Sequence, residues 1–174
     1  MIRIVKFPFC NFASFQRYLD VRDYSNTILF PDSTLNISDV IVLPGVGSFK
    51  EGVKFLHSSG NFHKIINHAS NGGAVLGICL GFQLLFDSSE ESPDYQGLSL
   101  FKGHCKRILS HPDFSVPHIG WNRLLIPTPG FPTYSPFLQT NHRYTDSDFY
   151  FVHSYAPDVE NISLVTSIVQ HPSI

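Results

Sequence analysis

Short apolar runs alternate with amphipathic stretches along the first half of the chain. Ile2–Val5 has strand character, and Asn11–Leu19 places Phe12, Phe15 and Leu19 at helical spacing. Thr27–Phe30 and Ser38–Leu43 read as two further strands, the second running into Pro44-Gly45-Val46-Gly47-Ser48-Phe49. From Glu51 to His68 the apolar positions Val53, Phe55, Leu56, Phe62, Ile65 and Ile66 predict helix, with Gly60 as an interruption. Asn71-Gly72-Gly73 suits a helix C-terminus. A strand containing Val75 and Leu76 follows, then a turn, then a helix presenting Phe82, Leu84, Leu85 and Phe86. This alternation predicts an α/β domain, a doubly wound parallel sheet with helices on both faces. Ligands of such sheets gather outside the carboxyl ends of the strands. The Pro44–Ser48 loop and Cys79 both follow strands, so they are expected to share one rim.

The second half is mainly β. Ser88–Asp94 reads as a polar loop, and Gly97–Gly103 and Cys105–Leu109 as short sheet segments. Pro117–Asn122 holds the single tryptophan, Trp121. Residues Pro127–Asp148, rich in Pro, Thr, Tyr and Asn, predict a long irregular connection. Phe149–Tyr155 and Leu164–Val169 are strongly β-forming.

The stretch with the most chemistry is Gly77-Ile78-Cys79-Leu80-Gly81. Gly-x-Cys-x-Gly between a strand and a helix is the thiol form of the Gly-x-Ser-x-Gly nucleophile elbow. Glycines on either side let strand and helix approach, and the residue at the tip sits in strained backbone. Helix N–H groups beyond Cys79 are expected to favour its thiolate, and the Leu80 N–H to face a developing oxyanion. A lone cysteine in an apolar run is more often a buried structural thiol. Here the paired glycines favour the elbow.

Composition narrows the classes. The chain has 174 residues, read as one domain over 1–174, and a formal charge of −2 with scattered cations, which gives no general pull toward nucleic acid or an anionic membrane. Three distant cysteines (Cys10, Cys79 and Cys105) argue against a disulfide framework and for a reducing compartment. The opening Met1–Lys6 has only a short apolar stretch, and no apolar run approaches bilayer-spanning length, so a cytoplasmic protein is expected. His104, His111 and His118 lack the spacing of metal ligands, and no metal or organic cofactor is expected.

Four blocks occur in order: Val42-Leu-Pro-Gly-Val-Gly-Ser-Phe49, Leu76-Gly-Ile-Cys-Leu-Gly-Phe-Gln-Leu-Leu-Phe86, Pro117-His-Ile-Gly-Trp-Asn122 and Tyr150-Phe-Val-His-Ser-Tyr155. Together they resemble the glutaminase subunit of imidazole glycerol phosphate synthase, a class I, triad-type glutamine amidotransferase. The resemblance implies a flavodoxin-like amidotransferase domain that hydrolyses glutamine to glutamate and ammonia. It also implies a heterodimer with a (β/α)8-barrel cyclase that uses the ammonia to make imidazole glycerol phosphate in histidine biosynthesis. By position it makes Cys79 the nucleophile and assigns an oxyanion hole to the N–H of Leu80 and one from the Val46–Gly47 region. It assigns glutamine binding to Gln83, Glu91, Ser154 and Tyr155, and the cyclase-facing surface to Asn11 and Trp121.

From the residues alone, Gln83 is equally a polar helix position, a glutamate in an acidic loop such as Glu91 is more often a solvated charge, and Trp121 has a core aromatic as its alternative. His153, on an apolar strand, reads as hydrogen-bonded structure rather than a catalyst. The chain also departs from the family's pattern. The family completes its triad with a downstream His-Pro-Glu segment, whereas here Gln170-His171-Pro172-Ser173-Ile174 has no glutamate. The triad histidine and glutamate are therefore not found, and a C-terminal truncation is inferred. Lys6-Phe-Pro-Phe-Cys10 stands where the family tends to have Asp-Tyr-Gly-x-Gly. Two alternatives follow: an ammonia-supplying subunit for a sugar amidotransferase of surface polysaccharide synthesis, or a non-catalytic member that binds a synthase.

Overall fold

The computed structural model describes residues 1–110, 112, 115–125 and 148–169. The chain forms two compact units, Met1–Cys105 and Lys106–Ile174.

In the first unit β1 (Ile2–Ile4), β2 (Asn26–Ile28), β3 (Val40–Leu43) and β4 (Ala74–Gly77) make one parallel sheet in the order β2-β1-β3-β4. That order opens the flavodoxin-type arrangement, with its switch point between β1 and β3. Alternation along the strands supplies both faces. Ile2, Ile4 and Ile28 meet Phe12 and Leu19 of α1 (Phe12–Val21) on one side. Val5, Ile41 and Leu43 meet α2 (Phe49–Ser58) and α3 (Phe62–Ser70) on the other, through Phe49, Val53, Leu56, Phe62 and Ile65. The doubly wound α/β expectation holds.

Local chemistry sets the boundaries. The helical stretch Glu51–His68 is interrupted where expected, at Gly60, whose φ of +68° is left-handed, and so forms two helices. Ser48 caps α2 by accepting the Glu51 N–H (3.3 Å), and its hydroxyl donates to the Glu51 carboxylate (3.1 Å). The elbow helix α4 (Leu80–Gln83) is only four residues long. Its apolar continuation turns instead, because the carbonyls of Leu84, Leu85 and Asp87 accept N–H groups from Leu98, Leu100, Phe101 and Gly97. Those bonds also correct the reading of Gly97–Gly103 as a sheet segment. Its donors are spent on the turn after the elbow, and the strand there, β6 (Gly103–Arg107), starts at the end of that stretch. The two-residue β5 (Ser88–Ser89) lies parallel to His104 and Cys105 of β6, inside the predicted polar loop.

Beneath the amino ends of the sheet, Asp39 is 3% exposed and receives the Met1 ammonium (3.2 Å), the Arg3 guanidinium (3.0 Å) and the Asn36 N–H (3.1 Å). Burial works to raise its carboxyl, but these donors outweigh it and hold the group below its ordinary value. Asp39→Asn is expected to cost about 2 kcal/mol in urea denaturation, since it removes the buried charge that the Arg3 guanidinium and the more exposed Met1 ammonium both face. A lowered folded pKa gives stability that is present above the unfolded value of ~3.9 and is lost as pH falls through the folded one. The wild-type advantage over the variant should therefore shrink below about pH 4.

In the second unit β7 (His118–Leu125) pairs antiparallel with β8 (Asp148–His153), with His118 opposite His153 and Trp121 opposite Tyr150. After a one-residue corner at Ser154 the chain continues as β9 (Tyr155–Val159), and β10 (Ile168–Val169) pairs with Leu124 and Leu125 of β7. Among the described residues no helix is long and apolar enough to cross a membrane.

Candidate active site

Cys79 stands at the tip of a sharp turn between β4 and α4, exposed, with φ +53° and ψ −113°. A non-glycine residue at positive φ is held there only when its surroundings over-determine it. The two flanking glycines do so. A Cβ on Gly77 would lie 2.5 Å from the Gly81 carbonyl oxygen and 2.6 Å from the Phe82 Cα, and a Cβ on Gly81 would run into the Leu43 carbonyl. The elbow is thus built by backbone approach on both sides of the thiol.

Its electrostatics correct the expectation of a favoured thiolate. Desolvation pushes the Cys79 thiol above its ordinary value, against the lowering influence of the Leu80 N–H. A one-turn helix gathers too few aligned peptide dipoles to reverse this. Among the described residues no histidine or carboxylate is hydrogen-bonded to the Cys79 sulfur. His171 and Pro172 lie outside the described residues, as do His111 and all of Pro127–Asp148 except Asp148 itself.

The Pro44–Ser48 loop does meet the elbow. Ile78 N–H donates to the Leu43 carbonyl (2.9 Å), and Leu80 N–H to the Gly45 carbonyl (3.3 Å). The second bond occupies the donor expected to face an oxyanion. Because C=O and N–H of a trans peptide point in opposite directions, the Val46 N–H is turned away from Leu80. Gly47 has φ +118°, with the Phe9 ring 3.2 Å from where a Cβ would stand. Phe9 stacks on Phe7 at 5.4 Å, so the divergent Lys6–Cys10 segment packs against the glycine loop.

Gln83 closes α4, its N–H bonded to the Cys79 carbonyl (3.1 Å). Glu91 is no free surface charge: its carboxylate accepts the Phe49 N–H at the start of α2 (2.7 Å). Burial first, and the Glu91 charge second, push the nearby Cys105 thiol up to about 12. Asn11 is exposed and caps α1 by accepting the Ser14 N–H (3.4 Å). In the second unit Ser154 and Tyr155 form the corner between β8 and β9, with the Ser154 carbonyl accepting the Ile108 N–H (2.9 Å). Trp121 is 69% exposed and edge-on to Tyr150, so the core-aromatic alternative fails.

Two features escaped the sequence reading. The Ser48-x-x-Glu51 cap was open to detection from its spacing. A hydrogen-bonded set of Asn122, His118 and His153 was not, since it depends on strand register. Among the described residues no group of three or more His, Cys, Asp or Glu could hold a metal ion.

Comparisons with known proteins agree with this geometry. The family model described as "Glutamine amidotransferase class-I" matches residues 10–168. The imidazole glycerol phosphate synthase subunit HisH of Nostoc punctiforme is 35% identical over 158 residues, covering 91% of this chain and 72% of that protein. HisH of a Geobacillus strain is 37% identical (89% and 72%), and that of Syntrophotalea carbinolica 33% (98% and 82%). Two solved structures share the fold: one described as a glutamine amidotransferase (TM-score 0.61, 13% identity, 92% of this chain and 74% of that one), and PurLQS from Thermotoga maritima (TM-score 0.65, 17% identity, 99% and 75%). Elbow, glycine loop and parallel sheet, together with these matches along nearly the whole sequence, establish that the chain belongs to the class I glutamine amidotransferases, and among them to the HisH type.

Proposed function

We propose that the chain is a glutaminase subunit in which Cys79 attacks the side-chain carboxamide of glutamine. A sulfur–carbon bond forms, the carbon–nitrogen bond breaks, and the nitrogen takes a proton and leaves as ammonia. Water then cleaves the γ-glutamyl thioester, giving glutamate and restoring the thiol. The reaction balances without a cofactor. The N–H of Leu80 and a second from Val46 or Gly47 receive the oxyanion once the loop peptide has turned, and Gln83 and Glu91 contribute to holding the substrate. Ser154 and Tyr155 are further candidates for glutamine binding. The ammonia is consumed by a (β/α)8-barrel cyclase that forms imidazole glycerol phosphate in histidine biosynthesis, with Asn11 and Trp121 each a candidate contact to it.

The observation that supports this reading most is the positive φ of Cys79 between two glycines that tolerate no Cβ. A buried structural thiol has no need of such a turn. Incubation with an electrophilic glutamine analogue is expected to modify Cys79 alone, as read by peptide mass spectrometry, and Cys79→Ala to take no label. Modification confined to Cys10, or none at all, would refute the nucleophile.

The raised thiol and the occupied Leu80 donor favour a second reading, a family member that binds a synthase without turnover. Glutamate release with and without the cyclase separates the two. Release that responds to the cyclase supports the glutaminase, and tight binding with no release supports the second reading. An ammonia acceptor other than the cyclase, such as a sugar amidotransferase, would show itself in which synthase co-purifies.

A further inference from the structure

We propose that Asn122, His118 and His153 are positioning residues, a directed hydrogen-bond chain that fixes the corner bearing Ser154 and Tyr155. Its link to substrate rests on the glutaminase reading above.

His153 Nδ1 lies 3.0 Å from the Tyr155 carbonyl. A carbonyl only accepts, so this nitrogen carries hydrogen. In a neutral ring the other nitrogen, Nε2, is then an acceptor, and it lies 2.9 Å from His118 Nδ1. His118 must donate there, which leaves its own Nε2 as an acceptor for the Asn122 amide, 2.7 Å away. Every link is thereby oriented: Asn122 donates to His118, His118 to His153, and His153 to the Tyr155 carbonyl. Both histidines hold the Nδ1–H tautomer.

The chain is anchored at both ends. His118 is 7% exposed, is directly paired with His153 across the β7–β8 ladder, and stacks on Phe151 at 5.3 Å. The far end closes over a single residue, because β8 stops at His153 and β9 starts at Tyr155. With the Ser154 carbonyl taken by the Ile108 N–H and the Tyr155 carbonyl by His153, the two peptide groups that flank Tyr155 are held. A hydrogen-bonded pair of rings, one buried and one half-buried, with each ring nitrogen committed to a partner, favours one arrangement. The charged residues of these two strands, Arg123 and Asp148, pair with each other on the opposite face, where residues alternate outward from His118 and Asn122.

The order of donors is directly observable. Two-bond 15N–1H spectra of the whole chain at neutral pH are expected to show both His118 and His153 as Nδ1–H tautomers. Asn122→Asp replaces the donor by a group that only accepts, so His118 Nε2 must gain hydrogen and the pair must take up one proton. The spectrum should then show one imidazolium. An Nε2–H tautomer at His153 in the wild type, or a spectrum unchanged in Asn122→Asp, overturns the chain. Asn122→Ala should keep the fold by circular dichroism and weaken glutamine binding in calorimetry by about tenfold. Unchanged affinity there overturns the positioning role even with the tautomers as stated. If the wild type binds no glutamine, the glutaminase reading and the positioning role fall together, while the tautomers still decide the hydrogen-bond chain itself.

Discussion

Gly81→Ala is expected to leave little folded protein, with a loss above about 4 kcal/mol. The added methyl would run into the carbonyl of Leu43, a fully buried residue of β3, and stand 2.8 Å from its Cβ. That carbonyl is already committed to the Ile78 N–H, so neither side can retreat without breaking the bond that aligns the elbow with the sheet. β3 is paired on both edges, with β1 and β4, and cannot move cheaply. At this chain length each kcal/mol lowers Tm by roughly 2–4 °C, so thermal denaturation followed by circular dichroism should show a fall of about 10 °C or more. Gly72→Ala is the control. Gly72 also has a positive φ, +88°, but nothing lies within 4 Å of its added carbon. Its cost should be only the conformational one, about 1–2 kcal/mol. Equal losses in the two variants would mean that close approach of strand and helix is not what the glycine serves.

That contrast marks what could be read from the sequence. The parallel sheet was legible because each strand is a short apolar run followed by an amphipathic helix, a pattern set by neighbours along the chain. Gly77, Cys79 and Gly81 were legible for the same reason: spacing alone implied a tight strand-to-helix turn. The length of α4 was not. Leu84, Leu85 and Phe86 continue a helical apolar pattern, and what ends it is competition for their carbonyls by residues 97–101, more than ten positions away. Glu91 was unreadable on similar grounds, since nothing local distinguishes it from Glu90, and only the fold brings it to the Phe49 N–H. The histidine pair required the register of β7 on β8, where a slip of one residue would have put the rings on opposite faces.

The other large effect concerns rates at Cys79. Simple alkylation by iodoacetamide and acylation by glutamine are expected to diverge in the isolated chain. Alkylation needs only the thiolate, so its rate should be low at neutral pH and climb through the alkaline range, because the thiol titrates above its ordinary value. Acylation also builds negative charge on the carboxamide oxygen. The Leu80 N–H that would receive it is bonded to the Gly45 carbonyl, and the Val46 N–H points the other way. A single oxyanion donor is worth about 10²–10³ in rate, so thioester formation should lag by at least that factor behind a state in which the Gly45–Val46 peptide has turned. Quenched-flow mass spectrometry of the γ-glutamyl adduct measures the acylation rate, and iodoacetamide incorporation gives the thiolate's own reactivity under the same conditions. If a cyclase is the partner, adding it should raise the first rate and leave the second nearly unchanged, because turning one peptide alters where charge can be placed and not how readily the sulfur loses its proton. A parallel rise in both would put the control in the thiol's environment. Fast adduct formation without any partner would mean that the Leu80–Gly45 bond opens freely in solution.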